Sequence, residues 1–257
     1  MTNENRCLIA SACNVAGVEG TCNSFCPHFI ALHGSNGGGG RQALANIPKQ
    51  YVTATVKLNA ARKDQAKAFS IIDAYVESFV KMFETGLPEK DRIKSLYLWS
   101  KNTGTGKTTA AAAIASEYLK RHYVGSIIRG LKPKRRPVFF IGLNELQSQY
   151  TESVRPNMPK DLAEAAAREY NDILQAAKTV DFLVLDDIGL RSSSERFTDD
   201  IYRLLNHRNT EMLPTVYTSN QPLSELEIIY SKQVWDRTRD MTMEIPFVGE
   251  SKRGFRR

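Results

Sequence analysis

Residues 101–109, KNTGTGKTT, follow the apolar run SLYLWS and precede the alanine-rich AAAAIA. Strand, tight loop, helix is the setting in which a glycine-bearing loop wraps phosphate groups. Backbone N–H groups from Gly104 to Thr108 are expected to point into an anion site that the N-terminus of the next helix completes. The expected contact set is Asn102, Thr103, Gly104, Thr105, Gly106, Lys107, Thr108 and Thr109. Within it Lys107 reaches the β- and γ-phosphates of a nucleotide, and the Thr108 hydroxyl ligates Mg²⁺. Lys101 stands where the G-x-x-x-x-G-K-T pattern has its first glycine.

A second carboxylate-bearing segment supports the first. VDFLVLDDIG (180–189) is a short apolar run ending in Asp186 and Asp187, as in a strand buried on both faces of a parallel sheet. Carboxylates at its C-terminal end lie where open α/β sheets bind ligands. Asp186 is expected to support Mg²⁺ through water, and Asp187 to orient or deprotonate the attacking water. ATP, ahead of GTP, is the expected ligand. The segment PTVYTSN (214–220) ends in Thr218, Ser219 and Asn220. That polar tip either bonds the γ-phosphate or attacking water, or is turn chemistry ahead of Gln221-Pro222. In KQVWDRTRDM (232–241), Arg237 and Arg239 either satisfy helix-end carbonyls or present a cation to a neighbouring subunit's γ-phosphate. Arg253 is a comparable candidate acting within its own subunit.

All four cysteines lie in the pattern Cys7-x5-Cys13-x8-Cys22-x3-Cys26, with Pro27-His28 next and His33 a little later. Four thiolates, or three and a histidine, suit tetrahedral Zn²⁺, and a segment this short needs such a staple to fold. Reduced, unliganded thiols are the alternative. Zinc on all four cysteines is the expectation, with His28 in reserve. The glycine-rich GSNGGGGRQ (34–42) then reads as a flexible linker.

These segments must be positioned by a larger frame. The chain has 257 residues, 25% charged and 42% apolar, enough for one sizeable domain and a small appendage. No apolar stretch approaches a membrane span and no signal-peptide pattern opens the chain, so a cytoplasmic protein without membrane attachment is expected. Strands are predicted at 95–100, 137–143, 181–188, 214–220 and 243–249. Helices are predicted at 61–83 and near 108–122, 144–153, 160–178, 194–211 and 223–240. This alternation predicts an α/β fold with a parallel, doubly wound, five-stranded sheet and an extra helix between the second and third strands. The net charge of +7 permits a polyanionic partner. From Glu117 to Glu145 no acidic residue intervenes, while Lys120, Arg121, Arg129, Lys132, Lys134, Arg135 and Arg136 do. That run either contacts nucleic-acid phosphates or is a solvated basic loop. Phe139 and Phe140 are assigned to the strand core.

In this order, GTGKTT, LVLDDIG, YTSN and VWDRTRD resemble the AAA+ ATPases of the initiator and helicase-loader group, in particular DnaC/DnaI-type loaders of bacteria and phages. The resemblance covers roughly residues 50–257. It implies Walker A roles for Lys107 and Thr108, and a Walker B pair of Asp186 and Asp187. It further implies sensor 1 at Asn220, an arginine finger at Arg237 and a sensor 2 arginine at Arg253. By the same likeness residues 1–33 form a zinc-binding, helicase-interacting module, 34–50 a linker and 51–257 an AAA+ ATPase domain that self-assembles. The expected partners are a DnaB-type hexameric helicase and single-stranded DNA. Two other functions stand beside loading: an IstB-like transposition helper ATPase, and a nucleotide-gated adaptor or inhibitor of a helicase. Asp187, one methylene shorter than the glutamate common at this place, implies slow hydrolysis without partners.

Overall fold

The computed structural model describes residues 2–189, 194–229 and 232–251, with backbone only at residues 229, 233, 234 and 237. The N-terminal part carries two short helices, α1 (Pro27–His33) and α2 (Gly40–Leu44), followed by α3 (Ala66–Glu77). Then come β1 (Ser95–Trp99), α4 (Lys107–Ile128), β2 (Val138–Gly142), α5 (Leu143–Ser153) and α6 (Lys160–Thr179). The chain continues through β3 (Phe182–Ile188), α7 (Glu195–Thr210), β4 (Thr215–Ser219), α8 (Leu226–Ile229), α9 (Lys232–Met241) and β5 (Thr242–Pro246). Among the described residues the strands form one five-stranded sheet, ordered β2-β3-β4-β1-β5, with every neighbouring pair parallel.

The strands are apolar on both faces because both faces are covered, and their side chains alternate between two cores. Leu96, Leu98, Val138, Phe140, Phe182, Val184 and Val216 join α3 and α4 on one side. Tyr97, Phe139, Ile141, Leu183, Leu185 and Tyr217 join residues of α5, α6 and α7 on the other. Phe139 and Phe140 are therefore both core residues, on opposite faces.

The expected strands and helices recur with a few shifts. The helix expected over 61–83 is α3 flanked by 3₁₀ turns at Ala60–Lys63 and Ser78–Phe83. β5 ends at Pro246, before the expected 249, because Val248 turns its backbone N–H and C=O to the Gln65 side chain. Within the glycine-rich stretch read as a linker, α2 forms, and Ala45 and Ile47 are buried in the core. The Ala45 carbonyl accepts from the Phe140 N–H at 2.8 Å, and Asn46 Nδ2 donates to the Phe140 carbonyl at 2.9 Å. These two bonds close part of the free edge of β2.

Ile9, Leu32 and Tyr123 form a small cluster that packs the cysteine-bearing segment onto the C-terminal half of α4. Around it, His28 Nδ1 lies 2.9 Å from the Tyr123 hydroxyl, and the Arg41 guanidinium stacks over the Tyr123 ring. His33 Nε2 accepts the Leu8 N–H, so its Nδ1 is the protonated nitrogen and donates to Gln42 Oε1 at 2.7 Å. Burial holds His33 below the usual histidine range, in keeping with that neutral tautomer.

Candidate nucleotide site

The phosphate loop connects β1 to α4 at the C-terminal edge of the sheet. Gly104 and Gly106 have φ of +72° and +99°, the left-handed region that glycine enters without strain. A Cβ on Gly106 would also lie 2.5 Å from the Ala61 Cβ. Lys101 is not among the described positive-φ residues, which is why a lysine is tolerated where the familiar pattern has glycine. No side chain caps α4, so its first N–H groups are open to an anion.

Lys107 is buried, and its Nζ donates to the Asn102 carbonyl at 3.0 Å and to Asn220 Oδ1 at 2.9 Å. Asn102 also donates through Nδ2 to the Gly249 carbonyl at 2.8 Å. Thr108, on the first turn of α4, hydrogen-bonds Asp186. Burial pushes the Asp186 carboxyl above its ordinary range, while bonds from Thr218 and Thr108 pull it back toward the charged form. Thr103 is exposed, Thr105 is buried and Thr109 half-buried on α4.

The tip of β4 holds the carboxylates. Thr218 Oγ1 donates to Asp186 Oδ1 at 2.6 Å and accepts the Asp187 N–H at 2.9 Å. Asn220 Nδ2 donates to Asp187 Oδ1 at 3.2 Å, which makes Asn220 the link between Lys107 and Asp187. Asp187 sits at φ +62°, where the β3–β4 register shifts between Leu185 and Ile188. The structure thus brings together the loop, Lys107, Thr108, Asp186, Asp187 and Asn220.

Two contributors escaped the sequence reading. Asn144, at the start of α5, donates through Nδ2 to Asp187 Oδ2 at 2.8 Å. Its signal was available: a polar residue just past the C-terminal end of a parallel strand, where ligands bind. Gln65 donates to the Val248 carbonyl at 2.6 Å, accepts the Val248 N–H at 3.0 Å, and reaches the Thr105 carbonyl at 3.5 Å. Nothing local marks a contact made across 183 positions.

The arginine expectations fare differently. Arg253 lies outside the described residues, and of Arg237 only its place on α9 is described. Arg239 is engaged on its own helix, stacked over Trp235 and 3.7 Å from Asp236. The basic run is partly neutralised: Glu117 bonds Lys120 and Arg121, Glu77 also bonds Arg121, and Asp181 bonds Lys134.

Cys7, Cys13, Cys22 and Cys26 are reduced and half-buried, and with His28 they line one cavity of about 20 Å³. The Cys7 thiol is pushed up by burial and by the other three cysteines. Among the described residues no group of three or more His, Cys, Asp and Glu is arranged to hold a metal ion as it stands. His28, the reserve ligand, gives its Nδ1 to Tyr123.

Taken together, the uncapped helix start, one buried ammonium, and a hydroxyl paired with a carboxylate fit a polyphosphate carrying a hard divalent cation.

Comparisons with known proteins extend this. No protein-family model matches the chain. Over 156 residues it is 33% identical to the replicative helicase loader DnaI of Bacillus subtilis (strain 168), covering 60% of this chain and 40% of that protein. Over 175 residues it is 26% identical to the replicative helicase loader DnaC of Escherichia coli (strain K12), covering 68% and 58%. The chain thus spans less than two thirds of the length of either relative. The crystal structure of DnaI shares the fold, with a TM-score of 0.52 at 24% identity over 78% of this chain and 94% of that one. In sequence the chain is similar to the replicative helicase loaders DnaI and DnaC, and its five-stranded parallel sheet shares the fold of DnaI.

Proposed function

We propose that this protein is an ATP-dependent loader of a DnaB-type replicative helicase onto single-stranded DNA. The observation that carries the reading is the 33% identity to a replicative helicase loader over a segment of 156 residues. The Lys107–Asn220–Asp187 network supports the nucleotide half of it. In that reading the loop N–H groups and Lys107 bind the β- and γ-phosphates, and Thr108 with Asp186 holds Mg²⁺. An ion held by Thr108 and Asp186 would supply positive charge to offset the charge that builds up on the transferred phosphoryl group. Asn220 orients Asp187, and the Asp187 carboxylate takes the proton of the attacking water. Arg237 is proposed to reach the γ-phosphate bound by a neighbouring copy and Arg253 that of its own subunit, so ATP-bound copies assemble through their AAA+ domains.

The cysteine module is proposed to bind Zn²⁺ through Cys7, Cys13, Cys22 and Cys26 and to grip the helicase. The cavity that the four thiols line, roomy enough for one small ion, supports this. Single-stranded DNA is proposed to follow basic residues that have no carboxylate partner among the described residues, such as Arg135.

The test is capture of the cognate hexameric helicase by the full chain with zinc and ATP, followed by transfer onto a single-stranded DNA circle. The wild type is expected to capture and transfer. Lys107→Met is expected to capture without transferring, and a Cys22→Ser, Cys26→Ser chain to do neither. No capture by the wild type rejects the loader reading and favours the transposition helper.

A further inference from the structure

The last three residues of the β4 tip each hold one part of the β3 bend. Thr218 bonds Asp186 and the Asp187 N–H, Asn220 bonds Asp187, and Ser219 Oγ donates to the Ile188 carbonyl at 2.7 Å. β3 passes from Leu185 to Ile188 while β4 passes only from Tyr217 to Ser219, so one extra residue bulges out of the ladder. The bulge removes the Asp187 N–H from its regular strand partner, and the Thr218 hydroxyl replaces that partner. Because the N–H occupies a lone pair of Oγ1, the hydroxyl hydrogen is aimed at Asp186 Oδ1.

We propose that Thr218 is a positioning residue for divalent-cation binding: its hydroxyl holds the Asp186 carboxylate in the rotamer that, with Thr108, receives Mg²⁺. Thr218 is 2% exposed and acts through Asp186. Only a group that donates and accepts at one atom satisfies both partners. Serine does so; valine has the shape of threonine but strands a buried N–H and a carboxylate oxygen. The proposal rests on the nucleotide-site reading above. It goes beyond that reading by assigning Thr218 to the cation and not to the γ-phosphate or water.

The experiment is binding of a fluorescent N-methylanthraniloyl ATP to the full chain, titrated with Mg²⁺ and repeated in EDTA. Hydrolysis is not read. Thr218→Val is expected to raise the Mg²⁺ midpoint about tenfold or more, the scale for losing a group that orients a metal ligand, and to leave EDTA affinity unchanged. Thr218→Ser is expected to match the wild type. On an Asp186→Asn background the valine substitution is expected to add nothing. Should Thr218→Val fail to fold by circular dichroism, Ser against Ala at 218 isolates the hydroxyl in the same titration. A wild-type midpoint in the hydroxyl-free variant, or an equal loss with and without Mg²⁺, overturns the proposal while the nucleotide site stands. A wild-type chain that binds no analogue at any Mg²⁺ concentration overturns the nucleotide-site reading itself.

Discussion

Asp187 takes hydrogen bonds on both carboxylate oxygens, from Asn144 and Asn220, and its backbone is held by Thr218. Each oxygen keeps room for a further hydrogen bond, so the two amides orient the carboxylate and leave it able to accept a proton from water. Asn144 arrives from a different element than Asn220, so the two bonds are separable. Asn144→Ala is expected to lower hydrolysis without partners several-fold, measured as steady-state phosphate release with nucleotide affinity unchanged. Asp187→Asn is expected to lower the same rate by about 10² or more, the scale for removing a general base. Asparagine tolerates the left-handed φ of Asp187, so that variant is expected to keep the wild-type melting temperature. An unchanged rate in Asp187→Asn would remove this carboxylate from the chemistry.

At the scale of elements, the far end of the sheet depends on one buried cation. Arg208 on α7 is fully buried and donates to Thr215 Oγ1 and to the carbonyls of Ala177, Val180 and Pro214, all between 2.7 and 2.9 Å. It ties the end of α6 and the entries to β3 and β4 to one side chain. Burial lowers its pKa to about 10, still charged at neutral pH. Arg208→Met takes this donor from the Ala177 and Val180 carbonyls, while Pro214 keeps the Leu183 N–H, and is expected to cost about 3 kcal/mol or more, read from the urea midpoint. On α4, His122 is buried, stacked on Phe83, and lowered to about 4 by burial, with Asp181, Lys134 and Arg41 as its charged neighbours. Its unfolded value is 6.5, so the unfolded chain takes up the proton first as pH falls. Stability present above pH 6.5 is therefore expected to drain away toward pH 4, by at most about 3 kcal/mol from this group. His122→Phe is expected to flatten that part of the urea-midpoint profile. The strands and most helices were legible in advance because a two-faced parallel strand writes an unbroken apolar run, as in Phe182–Leu185, and because Lys107 and Thr108 have a strict local context. The bend at Asp186–Asp187 was not. A bulge changes no residue type, and its cause lies on another strand.

For the whole molecule, the surprise is that the cysteine segment is packed onto the rest. Glycine composition suggested a tether, yet Gly40–Leu44 is helical, and Arg41 bonds the carbonyls of Ala31, Pro133 and Lys134. The bonds to Pro133 and Lys134 depend on residues some 90 positions away, so composition is silent on them. Tyr123 is the meeting point, touched by His28 and Arg41. Tyr123→Ala is expected to release the segment: proteolysis between residues 34 and 50 speeds up about tenfold or more, while nucleotide affinity holds. Equal cleavage rates in mutant and wild type would show that Tyr123 does not dock the segment.

α4 is one unbroken helix of 22 residues, so it spans about 33 Å. Lys107 and Thr108 stand on its first turn, and Tyr123 on its last third. A rod of that stiffness has no slack to absorb a shift at either end. Tilting it by 5° about its N-terminus would carry the far end sideways by about 3 Å, comparable to the length of one hydrogen bond. A tilt of that size would break the 2.9 Å His28–Tyr123 contact, which makes this hydrogen bond the sensitive measure of how α4 is seated.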